Sequence, residues 1–197
     1  MDKSTILQNI RNNKPADRPL PDLSKLPTME GNLTQLFIQM AEGTGTRVFQ
    51  VKSLQELPEV VNSVYPDVKI WTSTFPELPG SLSLEEVKEP LDLQGTDLAI
   101  IKGHFGVAEN AAIWVTEAEC GQRVLPFITE HLLIVVDADQ IVPHMHAAYK
   151  RIKIDETGFG VFIAGPSKTA DIEQSLVIGA QGARSLTVVL LGGEGGK

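Results

Sequence analysis

The stretch Gly165-Pro-Ser-Lys-Thr-Ala-Asp-Ile-Glu173 carries the densest set of residues able to meet a ligand. Ser167 and Thr169 offer hydroxyl donors and Lys168 a cation, a set suited to a carboxylate or phosphate. The apolar run Val161-Phe-Ile-Ala164 precedes it and reads as a strand, and a helix is expected to begin near Thr169 or Asp171. In open α/β sheets ligands gather at the carboxyl ends of strands, where helix N-termini present free N–H groups. The plainer reading is that Ser167 or Thr169 caps that helix, with Asp171 and Glu173 complementing its dipole. Neither G-x-x-x-x-G-K-[ST] nor G-x-G-x-x-G occurs, so this is not a nucleotide phosphate loop.

A second polar turn, Lys102-Gly-His-Phe-Gly-Val-Ala-Glu-Asn110, leads into Ala111-Ala-Ile-Trp-Val115. Glu109 stands at a strand mouth, where a carboxylate can act as base or nucleophile, and where it is also an ordinary solvated terminus. Gly103, Glu109 and Asn110 are candidate ligand residues if this turn faces Gly165–Glu173 across a sheet edge. His144 and His146 fall in an expected helix, where positions two apart diverge by about 200°, so no shared metal is expected. His131 stands alone at a strand start. Cys120, between acidic neighbours, is expected to be inert.

The elements that must hold these residues follow from periodicity. Ser4 to Asn12 reads as a short amphipathic helix, and 15–27 as a Pro-rich connector. Asn32-Leu-Thr-Gln35 is a capping box opening a helix to about Glu42, ended by Gly43 and Gly45. Arg47 to Val51 alternates like a strand, and Ser53-Leu-Gln-Glu56 opens a helix that stops before Pro66. Val68 to Trp71 is a short candidate strand, and Ser83-Leu-Glu-Glu86 a brief helix in a surface stretch. The runs at Leu98, Ala111, Leu132, Val161 and Leu186 are apolar on both faces, as in strands buried between layers. Asp137-Ala-Asp-Gln140 is read as the cap of a helix to about Lys153. The order from residue 131 is then βαβαβ, an open, mostly parallel sheet covered by helices. Residues 1–30 form an N-terminal helix and connector, and 31–197 a single α/β domain.

Composition narrows the function. The chain has 197 residues, 42% hydrophobic, with Asp+Glu 25 against Lys+Arg 17 and a net charge of -8. That charge opposes nucleic acid and anionic membrane surfaces. One cysteine excludes an internal disulfide and a cysteine-ligated iron–sulfur cluster. The apolar runs are strand-sized, so no membrane insertion is expected, and the cytoplasm is the expected compartment.

Gly165 to Glu173, with Leu176-Val-Ile-Gly-Ala-Gln-Gly182 and the strand after it, resembles the lactate-utilisation protein C family (LutC/YkgG), built on the LUD domain. The likeness runs from about Asp97 to Leu191. Ala108-Glu-Asn-Ala111 approximates a second family turn. The chain departs at Lys168, where Arg is usual, at Gln181, where His is usual, at Ala183-Arg184 in place of a Pro region, and at Asn110-Ala111 in place of Thr-Gly. The resemblance implies a fold similar to the NagB/RpiA/CoA-transferase-like group. It implies a role in oxidising L-lactate to pyruvate beside partner subunits that carry iron–sulfur clusters, with no cofactor in this chain, and it allows a homo-oligomer. Ligand residues are then expected among Gly103, Glu109, Asn110, Gly165, Ser167, Lys168, Thr169, Asp171 and Glu173. The alternatives are a stand-alone small-molecule binding module, or a CoA-transferase-like or sugar-phosphate-isomerase-like enzyme with Glu109 as the weak catalytic candidate.

Overall fold

Every strand of the central sheet runs the same way. In the computed structural model, which describes residues 2–16, 18–19, 21–22, 29, 31–153, 158–170 and 176–192, this sheet has five strands. They are β1 (Arg47–Val51), β2 (Trp71–Ser73), β3 (Leu98–Lys102), β6 (His131–Asp137) and β11 (Ser185–Leu191), in the order β1-β11-β6-β3-β2. All four pairings are parallel. Between β3 and β6 come β4 (Phe105–Val107), β5 (Ala112–Thr116), α4 (Glu117–Cys120) and α5 (Leu125–Ile128). After β6 come β7 (Ile141–Val142), α6 (Met145–Arg151) and β8 (Gly160–Ile163), and a second sheet has the order β7-β4-β5-β8.

Side chains alternate between the faces of a strand, so one apolar run feeds two cores. Ala99, Ile101, Leu132, Ile134, Val136, Leu186, Val188 and Leu190 pack towards the second sheet, with Ile113 and Val115 of β5 and Phe37 and Ala41 of α2 (Leu33–Gly43). Leu98, Ile100, Leu133, Val135 and Val189 face the other way, onto Leu57, Val60 and Tyr65 in and just after α3 (Leu57–Val64). The outer face of the second sheet presents Phe105, Val107 and Ala112 to Ala148 of α6. A fully buried Ile or Leu contributes about 1.5–3 kcal/mol over an exposed one, which makes these strands the rigid frame of the molecule.

Several expectations hold. Asn32 caps α2 by accepting from the Gln35 N–H at 3.1 Å. Ser53 and Glu56 form a capping box on the 3-10 turn that leads into α3. An amphipathic α1 (Lys3–Asn12) is present, with Ile6, Leu7 and Ile10 exposed. The connector falls largely outside the described residues.

Others are corrected. The strand expected at Val68 begins at Trp71, because Asp97 draws in the N–H groups of Lys69 and Ile70, both at 2.9 Å, and holds that stretch out of the ladder. Asp137 to Gln140 does not open a long helix. A 3-10 turn, Ala138–Gln140, passes into β7, which lends Ile141 and Val142 to the second sheet, and the helix waits until Met145. The run Ala112–Thr116 and the run Gly160–Ile163 pair antiparallel with each other and not with the central sheet. No helix begins at Thr169. Lys168–Ala170 forms β9, paired antiparallel with β10 (Leu176–Ile178). The βαβαβ reading therefore fails after β6: one face of the parallel sheet is covered by a second sheet as well as by α2. An apolar run does not say which sheet receives it.

Candidate functional site

Gly165 to Ser167 and Gly179 to Ala183 are locked into one structure. The Ser167 N–H donates to the Ala183 carbonyl at 2.8 Å, and the Gly179 N–H donates to the Ser167 carbonyl at 3.0 Å. Gly165 has φ +77, and a β-carbon there would lie 2.9 Å from both Cβ and Oγ1 of Thr44. Only glycine meets both demands without strain. Thr44 is the residue after α2, so the turn is seated on that helix's C-terminus. The Lys168 ammonium donates to the Thr44 carbonyl, a cation on the negative end of the helix dipole.

Thr44 and Ala183 lie just before β1 and β11. The turn is therefore at the amino ends of the parallel strands, not at the carboxyl ends where a ligand was expected. The reason is that β8 belongs to the second sheet and delivers the turn to the opposite edge.

A cavity of about 200 Å³ opens beside it. Its walls are Leu132, Leu186 and Phe127 on one side and Val161 to Ser167 with Gln181 to Ala183 on the other. A larger hollow of about 710 Å³ adjoins it across Phe127, Gln181 and Gly182, and adds Thr96, Asp97, Glu130 and Arg184. Arg184 pairs with Glu130 at 2.8 Å. The cleft thus combines an apolar wall with Ser167, Gln181 and Arg184, a pattern usual in small-molecule sites.

The second expected turn has other tasks. Glu109 accepts from the Met145 N–H at 2.9 Å, a carboxylate at the start of α6. Asn110 accepts through Oδ1 from the Ala112 N–H at 3.1 Å. This short turn lets Ala111 take φ +54. Gly103 is a packing glycine: a β-carbon would fall 2.4 Å from Val136 Cγ2 and 2.5 Å from Ile113 Cγ2. The cavity beside Ser167 is lined by Gly165, Pro166 and Ser167 but by none of Gly103, Glu109 and Asn110. Thr169 lies in β9, while Asp171 and Glu173 lie outside the described residues. Cys120 is buried, and burial first, then Glu117 and Glu119, pushes its thiol up to about 11. His144 caps α6 through Nδ1, with the His146 ring 5.8 Å away centre to centre. No cluster of metal-ligating side chains occurs among the described residues.

Sequence reasoning missed His131. Its Nδ1 lies 2.8 Å from Ser185 Oγ, and its ring is 5.2 Å from that of Tyr65. His131 and Ser185 are register partners at the starts of β6 and β11, and nothing in the linear sequence says that these strands are neighbours.

Residues 91–191, just over half of the chain, match the LUD domain model. The chain belongs to the LUD domain family. This LUD domain is 28% identical over 166 residues to lactate utilization protein C of Oceanobacillus iheyensis, covering 71% of each chain. It is 24% identical over 165 residues to an uncharacterized protein of Neisseria meningitidis serogroup B, covering 82% of this chain and 68% of that one. A crystal structure of a DUF162 family protein from Deinococcus radiodurans matches it with a TM-score of 0.62 at 20% identity, over 81% of this chain and 96% of the other. That likeness carries the α/β fold. Both segments that build the cleft, 165–167 and 179–184, fall inside the matched region. No described helix is long and apolar enough to cross a membrane.

Proposed function

We propose that this LUD domain serves L-lactate utilisation as a non-redox accessory subunit, beside partners that hold iron–sulfur clusters, and that it binds a small carboxylate in the cleft at Ser167. The observation that carries the reading is the interlock of the two family-like segments around one cleft, with Ser167 at its wall. The name of the Oceanobacillus relative supports the metabolic context. A single buried cysteine fits a division of labour in which clusters reside elsewhere. In the cleft, Ser167 Oγ and the Gln181 amide are the donors for a carboxylate. The apolar wall of Leu132, Leu186 and Phe127 takes its carbon skeleton. Lys168 anchors the turn to α2 through the Thr44 carbonyl.

Deleting the gene and growing cells on L-lactate tests the metabolic part. The deletion strain is expected to lose growth on L-lactate, to keep growth on pyruvate, and to regain the former with the wild-type gene. Unimpaired lactate oxidation in the deletion strain contradicts the proposal.

A further inference from the structure

A further recess, about 420 Å³, lies at the amino ends of β1 and β6 and is walled by Arg47, Tyr65, Asp67, Lys69, Asp97, Glu130 and His131. Two of its three carboxylates are already engaged. Asp97 Oδ2 accepts from the N–H groups of Lys69 and Ile70, which hold the carboxylate in its charged form. Glu130 is held by Arg184. The Arg47 guanidinium lies 5.8 Å over the Tyr65 ring. Lys69 and Asp67 are exposed at the rim. His131 is anchored through Nδ1 to Ser185, and its Nε2 is 3.8 Å from Glu130 Oε1. Tyr65 is itself fixed, its hydroxyl 2.8 Å from Thr187 Oγ1. The aromatic floor and the histidine are thus rigidly placed, with the Arg47 guanidinium over the Tyr65 ring and Lys69 exposed at the rim.

We propose that this recess is a binding site for a small oxyanion, held by Arg47 and Lys69 above the Tyr65 and His131 rings. The inference does not depend on the ligand of the cleft at Ser167, although Asp97 and Glu130 line both this recess and the larger hollow beside that cleft. Arginine offers the planar fork that carboxylate and phosphate oxygens prefer, and lysine a mobile point charge. His131 adds a second consequence. Burial holds its pKa below the ordinary histidine value; Glu130 and Asp97 act to raise it, and Arg184 and Arg47 to lower it. An anion in the recess favours the charged ring, so binding is accompanied by proton uptake.

The test is a titration of the full chain with inorganic phosphate and, separately, with pyruvate, followed by the histidine ring resonances in NMR. The expected result is a saturable shift of the His131 signal and an upward move of its pH midpoint. Arg47→Ala and Lys69→Ala should each weaken binding by about tenfold, as loss of one charge-assisted contact does. Lys69 is exposed, so its variant keeps the test valid if Arg47→Ala fails to fold. Saturation by phosphate alone, by pyruvate alone or by both supports the site and identifies its chemistry. An unmoved His131 signal with both probes overturns it, as do equal shifts at His104, His144 and His146 or a response that survives in both variants. Ser167→Phe should leave the His131 response intact, so failure of the cleft at Ser167 and failure of this recess are read separately.

Discussion

Gly165→Ala probes whether the turn is truly seated on α2. The native φ of +77 is a left-handed conformation, which costs a non-glycine residue about 1–2 kcal/mol. The added methyl would also sit 2.9 Å from Thr44 Cβ and Oγ1, so one segment must move. Overpacking of this kind costs about 1–3 kcal/mol. Together these give a loss of about 2–5 kcal/mol, and for a chain this size about 2–4 °C of Tm for each kcal/mol. The steric part separates in a double-mutant cycle with Thr44→Gly, which removes both clashing atoms. The cycle should return a coupling of about 1–3 kcal/mol, leaving only the backbone cost in the double variant. Urea denaturation followed by circular dichroism measures all four corners. A Gly165→Ala loss under about 0.5 kcal/mol, within the usual range for an uneventful surface substitution, would refute the reasoning, and so would an additive cycle.

Four further outcomes follow from the same contacts. Glu109→Ala should lower stability by about 1 kcal/mol through loss of the α6 start, yet leave ligand binding at Ser167 unchanged by calorimetry. Thr72→Val should keep or raise stability by up to about 1 kcal/mol, because the buried Thr72 hydroxyl has no hydrogen-bond partner among the described residues. Cys120 should resist iodoacetamide at neutral pH in the native chain and react after unfolding, as mass spectrometry will show. Because the folded state depresses His131, its contribution to stability is present above the unfolded value of about 6.5 and is lost as pH falls from there through the lower folded value. Urea melts at about pH 7.5 and about pH 5.5 should therefore show a smaller acid loss for His131→Gln than for the wild type.

The frame of the molecule was legible in the sequence because apolar runs and caps are local. Leu98, Leu132 and Leu186 begin or enter strands as expected, and Asn32 and Ser53 cap the elements they were read to cap. What escaped was pairing. The run at Val161 reads like the run at Leu132, yet one pairs antiparallel with β5 in the second sheet and the other joins the parallel one. That choice moved the Gly165 turn to the amino edge and replaced an expected helix with β9. Lys168 looked like an anion ligand from its neighbours in sequence. Its partner is the carbonyl of Thr44, 124 positions away in the chain. His131 and Ser185 meet only because β6 and β11 are adjacent.

The most direct measurement is calorimetric titration of the purified chain with L-lactate and with pyruvate, for the wild type and for Ser167→Phe, in which the phenyl ring fills the cleft. Saturable binding of at least one of these acids by the wild type, abolished in the folded Ser167→Phe variant and retained in Glu109→Ala, is the predicted result. Absence of binding by the wild type, or binding that persists with the cleft filled, would contradict it.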